Sequence, residues 1–206
     1  MNKKSILVKS FLALFSLASA VSCTKDVRLI DTATPIEQSP FLSPKDYYLE
    51  FLSATGFSQT NPNIGQAQTE MGYEFEATTN GEISSVYVKI PSVNPAVRVT
   101  IWDADNASPL VTTTVNVTAA NNVFETAITP LTIVKNKKYA ITMNSKDWYH
   151  HKHPDVLNVT YPLVIGPLKY NKVLHAVGSN QTLPKPTAPI LNHLNGDVRF
   201  KFKITH

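Results

Sequence analysis

The chain has one cysteine among its 206 residues, so no internal disulfide can staple it. Past the first 22 residues it has no long apolar run. The longest, near Tyr161 to Leu168, is broken by Pro162, Gly166 and Pro167, whereas a membrane-spanning helix needs about 20 apolar residues. Several catalytic signatures are missing: there is no Gly-x-Ser-x-Gly, no His-Glu-x-x-His and no phosphate-binding glycine loop. Those absences remove the local marks of α/β-hydrolases, zinc proteases and nucleotide-phosphate enzymes. The paired carboxylates of a glycoside hydrolase leave no local mark, and the low acid content, 15 Asp and Glu, argues against that class. Helical periodicity is also scarce. Only Asp46 to Leu52 reads as a short helix, and it reads equally well as a first strand.

The cysteine that is present is informative through its position. Lys3 and Lys4 precede an apolar stretch, Phe11 to Val21, and small residues lead to Cys23 in Leu17-Ala18-Ser19-Ala20-Val21-Ser22-Cys23. This is secretion-signal architecture, too short for a lasting span. It resembles a bacterial lipoprotein signal, with Ala20 in place of the usual Leu. The resemblance implies cleavage before Cys23 and acylation of its thiol. Residues 1–22 are then a signal peptide and residues 23–45 a polar, Pro-containing tether. Residues 46–206 form the domain. The alternative is an ordinary signal cut after Ala20, leaving Cys23 as a free thiol.

The net charge of +4 includes Lys3, Lys4 and Lys9. Without them 16 basic residues face 15 acidic ones, so the basic balance reports export. Nucleic-acid binding, which clusters basic residues on one face, is not expected.

Alternation of period two dominates the remainder. Aromatic Tyr73 and Phe75 alternate with Glu74 and Glu76; Val86, Val88 and Ile90 with Ser85, Tyr87 and Lys89; Val97, Val99 and Ile101 with Arg98, Thr100 and Trp102. The same holds over Val111–Thr118, Tyr139–Met143 and, most regularly, Val198, Phe200, Phe202 and Ile204. Successive strand residues face opposite sides, so each run has one dry and one wet face. The prediction is an all-β, single-domain antiparallel sandwich, jelly-roll or immunoglobulin-like. Asn80-Gly81 reads as a hairpin turn, and Asp105-Asn106, Asn121-Asn122 and Asn136 as further turns.

Gly72-Tyr73-Glu74-Phe75, Asn80-Gly81-Glu82-Ile83, Val97 to Asp103, and Lys137-Lys138-Tyr139-Ala140-Ile141 occur in an order that resembles domain of unknown function 4082. That family occurs in bacterial extracellular proteins. The resemblance covers under half the chain. It implies a β-sandwich of the kind that accompanies carbohydrate-active or adhesive modules, with no catalytic residues to transfer.

Three aromatic residues are candidate ligand contacts. Trp102 falls on the wet face with Arg98 and Thr100, where an indole suits stacking on a sugar; the alternatives are that a bulge or the strand end turns it inward, or that a neighbouring loop covers it. Trp148 and Tyr149 are expected in a loop after Asp147, either contacting a glycan or peptide or plugging the sandwich end. His150, His151 and His153 form a histidine cluster. In an extended chain His151 and His153 share a side, with Asp155 near, but a solvated loop explains them as well. No metal or other cofactor is expected.

The functional expectation is a non-enzymatic lipoprotein of the bacterial envelope, anchored through Cys23 and on the outer membrane, because Thr24 stands where Asp would signal inner-membrane retention. Its sandwich would bind a glycan or an envelope protein. The alternatives are an assembly lipoprotein without a small ligand and, less favoured, a polysaccharide hydrolase.

Overall fold

The computed structural model describes residues 43–205; the signal segment, Cys23 and the tether up to residue 42 lie outside them. The described part is an all-β antiparallel sandwich with one short helix. The helix α1 (Tyr48–Thr55) is followed by β1 (Gln59–Asn63), β2 (Thr69–Ala77), β3 (Gly81–Lys89), β4 (Asn94–Asp103), β5 (Ser108–Val117) and β6 (Val123–Ile133). Next come β7 (Lys138–Ser145), β8 (Trp148–Lys152), β9 (Leu163–Ile165), β10 (Leu168–Val177), β11 (His193–Asn195) and β12 (Asp197–Ile204).

A six-stranded sheet in the order β5-β4-β7-β2-β10-β9 packs against a three-stranded sheet, β12-β3-β6. A third, small sheet, β1-β8-β11, adjoins them. The alternation sets the packing. Met71, Tyr73 and Phe75 of β2, Ile141 and Met143 of β7, Val97, Val99 and Ile101 of β4, and Val198, Phe200 and Phe202 of β12 share one core. Rings dominate its centre: Phe75 meets Phe200 at 4.7 Å and Tyr73 meets Tyr170 at 5.2 Å between centroids. Such pairs add about 0.5–1.5 kcal/mol each beyond burial.

The Asp46–Leu52 segment, ambiguous in sequence, resolves as α1. Asp46 Oδ1 accepts the Tyr48 N–H at 2.9 Å, and Gly56, at φ 70°, ends the helix with its N–H on Ser53 O. Its buried face seals the sandwich: Phe51 lies flat on Tyr170 at 4.1 Å, and the Tyr48 hydroxyl donates to Gly196 O at 3.2 Å. Ahead of α1, Lys45 exchanges two backbone hydrogen bonds with Phe202, each 2.9 Å.

The expected Asn80-Gly81 hairpin does not form. β2 and β3 belong to different sheets, so Asn80 and Gly81 belong to a crossing between layers. Gly81 is needed for space instead: a Cβ there would come within 2.2 Å of Phe202 Cζ. The other turns are as read. Asn121 and Asn136 take positive φ of 67° and 60°, and residues 104–107 join β4 to β5 in a true hairpin.

Candidate functional site

The outer face of the six-stranded sheet carries polar and charged groups laid out by the same alternation. On β2 the acids Glu70, Glu74 and Glu76 point outward; β10 beside it, and β4 across β7, supply complements. Arg98 Nη2 meets Glu70 Oε2 at 2.7 Å, Lys172 Nζ meets Glu74 Oε2 at 2.8 Å, and Lys169 Nζ meets Glu76 Oε2 at 3.1 Å. Asn171 Nδ2 adds bonds to Glu74 at 3.3 Å and Glu76 at 2.9 Å. Cross-strand pairs of this kind fix register and contribute a few tenths of a kcal/mol or more each, about 0.2–1.

Part of this face is roofed by the residues between β10 and β11. The first half of this strap, residues 178–183, is tied down by hydrogen bonds. Arg98 Nη1 donates to Ser179 O at 3.1 Å, Asn144 Nδ2 to Gly178 O at 3.0 Å, and Gln181 Nε2 to Thr112 Oγ1 at 2.5 Å. Leu183 then packs with Trp102, Ala140 and Leu174 in a second apolar cluster. Beneath them runs a buried polar chain. Trp102 Nε1 donates to Thr142 Oγ1 at 2.8 Å, whose hydroxyl donates to Glu70 Oε1 at 2.5 Å.

Beyond Leu183 the strap lifts away, and a cleft of about 760 Å³ opens between it, residues 158–161 and the sheet. Leu174, Leu183, Ile190 and Tyr161 with Pro184, Pro186 and Pro189 give it apolar walls, and Glu74, Asn171 and Lys172 give it a polar floor. The walls are irregular chain; Val159 N–H donates to Leu191 O at 2.7 Å and joins the two segments. The hydroxyl of Tyr161 is buried without a partner, and burial holds it well above the usual phenol range. Among the described residues lining the cleft, Glu74 is the sole carboxylate, and it is already paired with Lys172. The cleft therefore lacks the facing pair of carboxyl groups on which glycoside hydrolysis depends. A smaller hollow of about 310 Å³ lies on the other side of Leu183, floored by Glu70 and Ala176.

The residues singled out in the sequence lie elsewhere. Trp102 does sit on the outer face, but the strap covers it to 1 % exposure, which is the covering-loop alternative. Trp148 and Tyr149 are not in a loop: they open β8, because the chain turns tightly at residues 145–147, where the Ser145 hydroxyl donates to Asp147 O at 2.8 Å and accepts the Asp147 N–H at 3.1 Å. They are only 8 % and 7 % exposed. Trp148 joins the main core; Tyr149 donates its hydroxyl to Asn121 Oδ1 and lies under Lys89 Nζ. Neither offers an open ring face.

The histidines are also on β8 or just past it. His151 is buried, with Nδ1 3.1 Å from Thr60 Oγ1 and Nε2 unpartnered. Desolvation lowers its pKa to about 4. His153 instead accepts the Asp155 N–H at 3.0 Å in the following turn. The two hold separate partners. Among the described residues no group of three or more His, Cys, Asp or Glu side chains is placed to hold a metal ion.

The cleft was not legible in the sequence. Apart from Leu174 on β10, its walls come from residues 158–161 and 183–191, which carry no period; the prolines at 184, 186 and 189 were the only signal. Among the described residues no helix is long and apolar enough to cross a membrane. No family model matches the chain, and no match was found among curated proteins.

Proposed function

We propose that this chain is a non-enzymatic lipoprotein of the bacterial envelope, anchored through acylated Cys23, whose sandwich captures an extended segment of a protein partner in the cleft beside Leu183. The observation that supports binding is the cleft itself. Its volume of about 760 Å³ falls within the range of ligand sites, roughly 300–1,000 Å³. Its apolar walls of proline, leucine and tyrosine suit the side chains of an extended peptide, and its floor of Glu74, Asn171 and Lys172 suits main-chain amides. A glycan is the second occupant, but Trp102, Trp148 and Tyr149, the rings best suited to stack on sugars, are buried. The reading of an assembly lipoprotein without a small ligand leaves the cleft unused.

A peptide array and a glycan array, probed with the purified chain and its Tyr161→Ala and Lys172→Ala variants, test this. Peptide binding weakened at least several-fold by both substitutions is the expected result. Glycan binding with the same sensitivity would replace the occupant. Binding of neither, or binding indifferent to both substitutions, would remove the cleft from consideration. The anchor is tested separately: Cys23→Ser is expected to move the protein from the membrane pellet to the soluble fraction, and continued pelleting would overturn the anchor.

A further inference from the structure

His150 and His193 lie 43 residues apart in sequence, yet the antiparallel pairing of β8 with β11 sets them on one face. Asn195 is directly opposite His150, and His193 is opposite Lys152. The two imidazole rings are 4.9 Å apart between centroids, tilted by 39°. Each has its Nδ1 on an amide oxygen: His150 on Asn195 Oδ1 at 2.7 Å and His193 on Asn192 Oδ1 at 2.8 Å. An amide oxygen only accepts, so each Nδ1 carries a proton, and in the neutral form of each ring the lone pair is on Nε2. Metal-binding histidines are oriented in this way, with the far nitrogen donating to an oxygen.

The ring separation fits a shared ion. A metal–nitrogen bond of about 2.0–2.1 Å, plus about 1.1 Å from nitrogen to ring centre, gives about 4.5–5.2 Å between centres at angles from square to tetrahedral. His150 and His193 are both half-buried rather than sealed. One group opposes a cation: alternation puts Lys152 on the face of His150, two residues along.

We propose that His150 and His193 form a two-histidine site for a borderline divalent transition-metal ion (zinc, copper or nickel), with water completing the shell. Imidazole pairs select these ions over magnesium and calcium, which prefer oxygen. The site is independent of the cleft and of its occupant.

The test is calorimetric titration of the purified chain with zinc chloride at pH 7.5. One saturable site per chain is expected. His150→Ala and His193→Ala should each abolish it, Asn195→Ala should weaken it about 10- to 100-fold, and Lys152→Gln should strengthen it. His153→Ala should leave it unchanged. Copper added to the unmodified chain should give an electron paramagnetic resonance spectrum with hyperfine coupling to two imidazole nitrogens; this readout does not depend on any variant folding. No saturable zinc binding up to millimolar concentration, binding that survives both histidine substitutions, or a copper spectrum without two nitrogens would overturn the site.

Discussion

The indole N–H of Trp102 donates to Thr142 Oγ1 at 2.8 Å, beneath the strap and out of reach of solvent. That bond is the first of a series running through Glu70 to Arg98 and so to the strap carbonyl of Ser179. Breaking it strands a buried acceptor. Trp102→Phe is expected to lower stability by about 1–3 kcal/mol beyond its loss of packing. Combined with Thr142→Val it should cost less than the sum of the two, because both remove the same bond. Urea unfolding of the two single variants and the double variant measures this; strict additivity would show that the bond carries no energy.

Leu183 holds the strap to the sheet by packing on Trp102, Ala140 and Leu174. Leu183→Ala should open the strap locally before it unfolds the domain. Acrylamide quenching of Trp102 fluorescence and amide exchange in residues 178–183 should both rise, with a smaller change in the midpoint of global unfolding. An unchanged quenching constant would place the strap's attachment in its hydrogen bonds alone.

Gly72 pairs with Thr142 of β7, and a Cβ there would come within 2.0 Å of Ile141 O. The obstacle is backbone, which cannot swing aside. Gly72→Ala should therefore cost at least about 1–3 kcal/mol, the range for overpacked sites. Gly65→Ala meets no atom within 4 Å but must adopt φ near +67°, so its cost should be smaller, about 1 kcal/mol. Thermal melts of the two variants rank them; equal melting temperatures would contradict the clash.

His151 titrates near 4 in the folded chain, lowered from 6.5 by burial first and by Lys89 next. Unfolded, it takes a proton near its ordinary value. Between about pH 6.5 and 4 the unfolded chain thus holds more protons, and stability falls as the pH falls through that window. The full loss for this one ring is about 3 kcal/mol. Urea unfolding at pH 7 and pH 5 should show the decline, and His151→Gln should flatten it. His175 and His193, whose values are also lowered, add to the slope, while Asp197, raised by burial, opposes it.

The strands were the legible part of this fold. Val198, Phe200 and Phe202 read as one dry face and are one, because a strand's two sides are written directly into its sequence. Trp102 was likewise assigned to the correct face, though the strap that buries it has no period to announce it. Tyr73 and Phe75 against Glu74 and Glu76 foretold both the core and the acidic row above it. What escaped was longer in range. Asn80-Gly81 looks the same whether the chain folds back on its own sheet or crosses to the next. Trp148 and Tyr149 looked like loop residues because the turn at Asp147 is so short that β8 starts immediately. His150 and His193 meet only because β8 and β11 pair, which no local pattern encodes.

The exchange between Lys45 and Phe202 has a mechanical meaning. A chain fixed at residue 23 would pull on the domain through residue 43, and the first resistance is that pair of backbone hydrogen bonds at the edge of β12, backed by the rings of α1. The cleft lies on the far face of the other sheet. If Cys23 is anchored as proposed, tension would load that margin of β12 first, on the sheet opposite the one that floors the cleft.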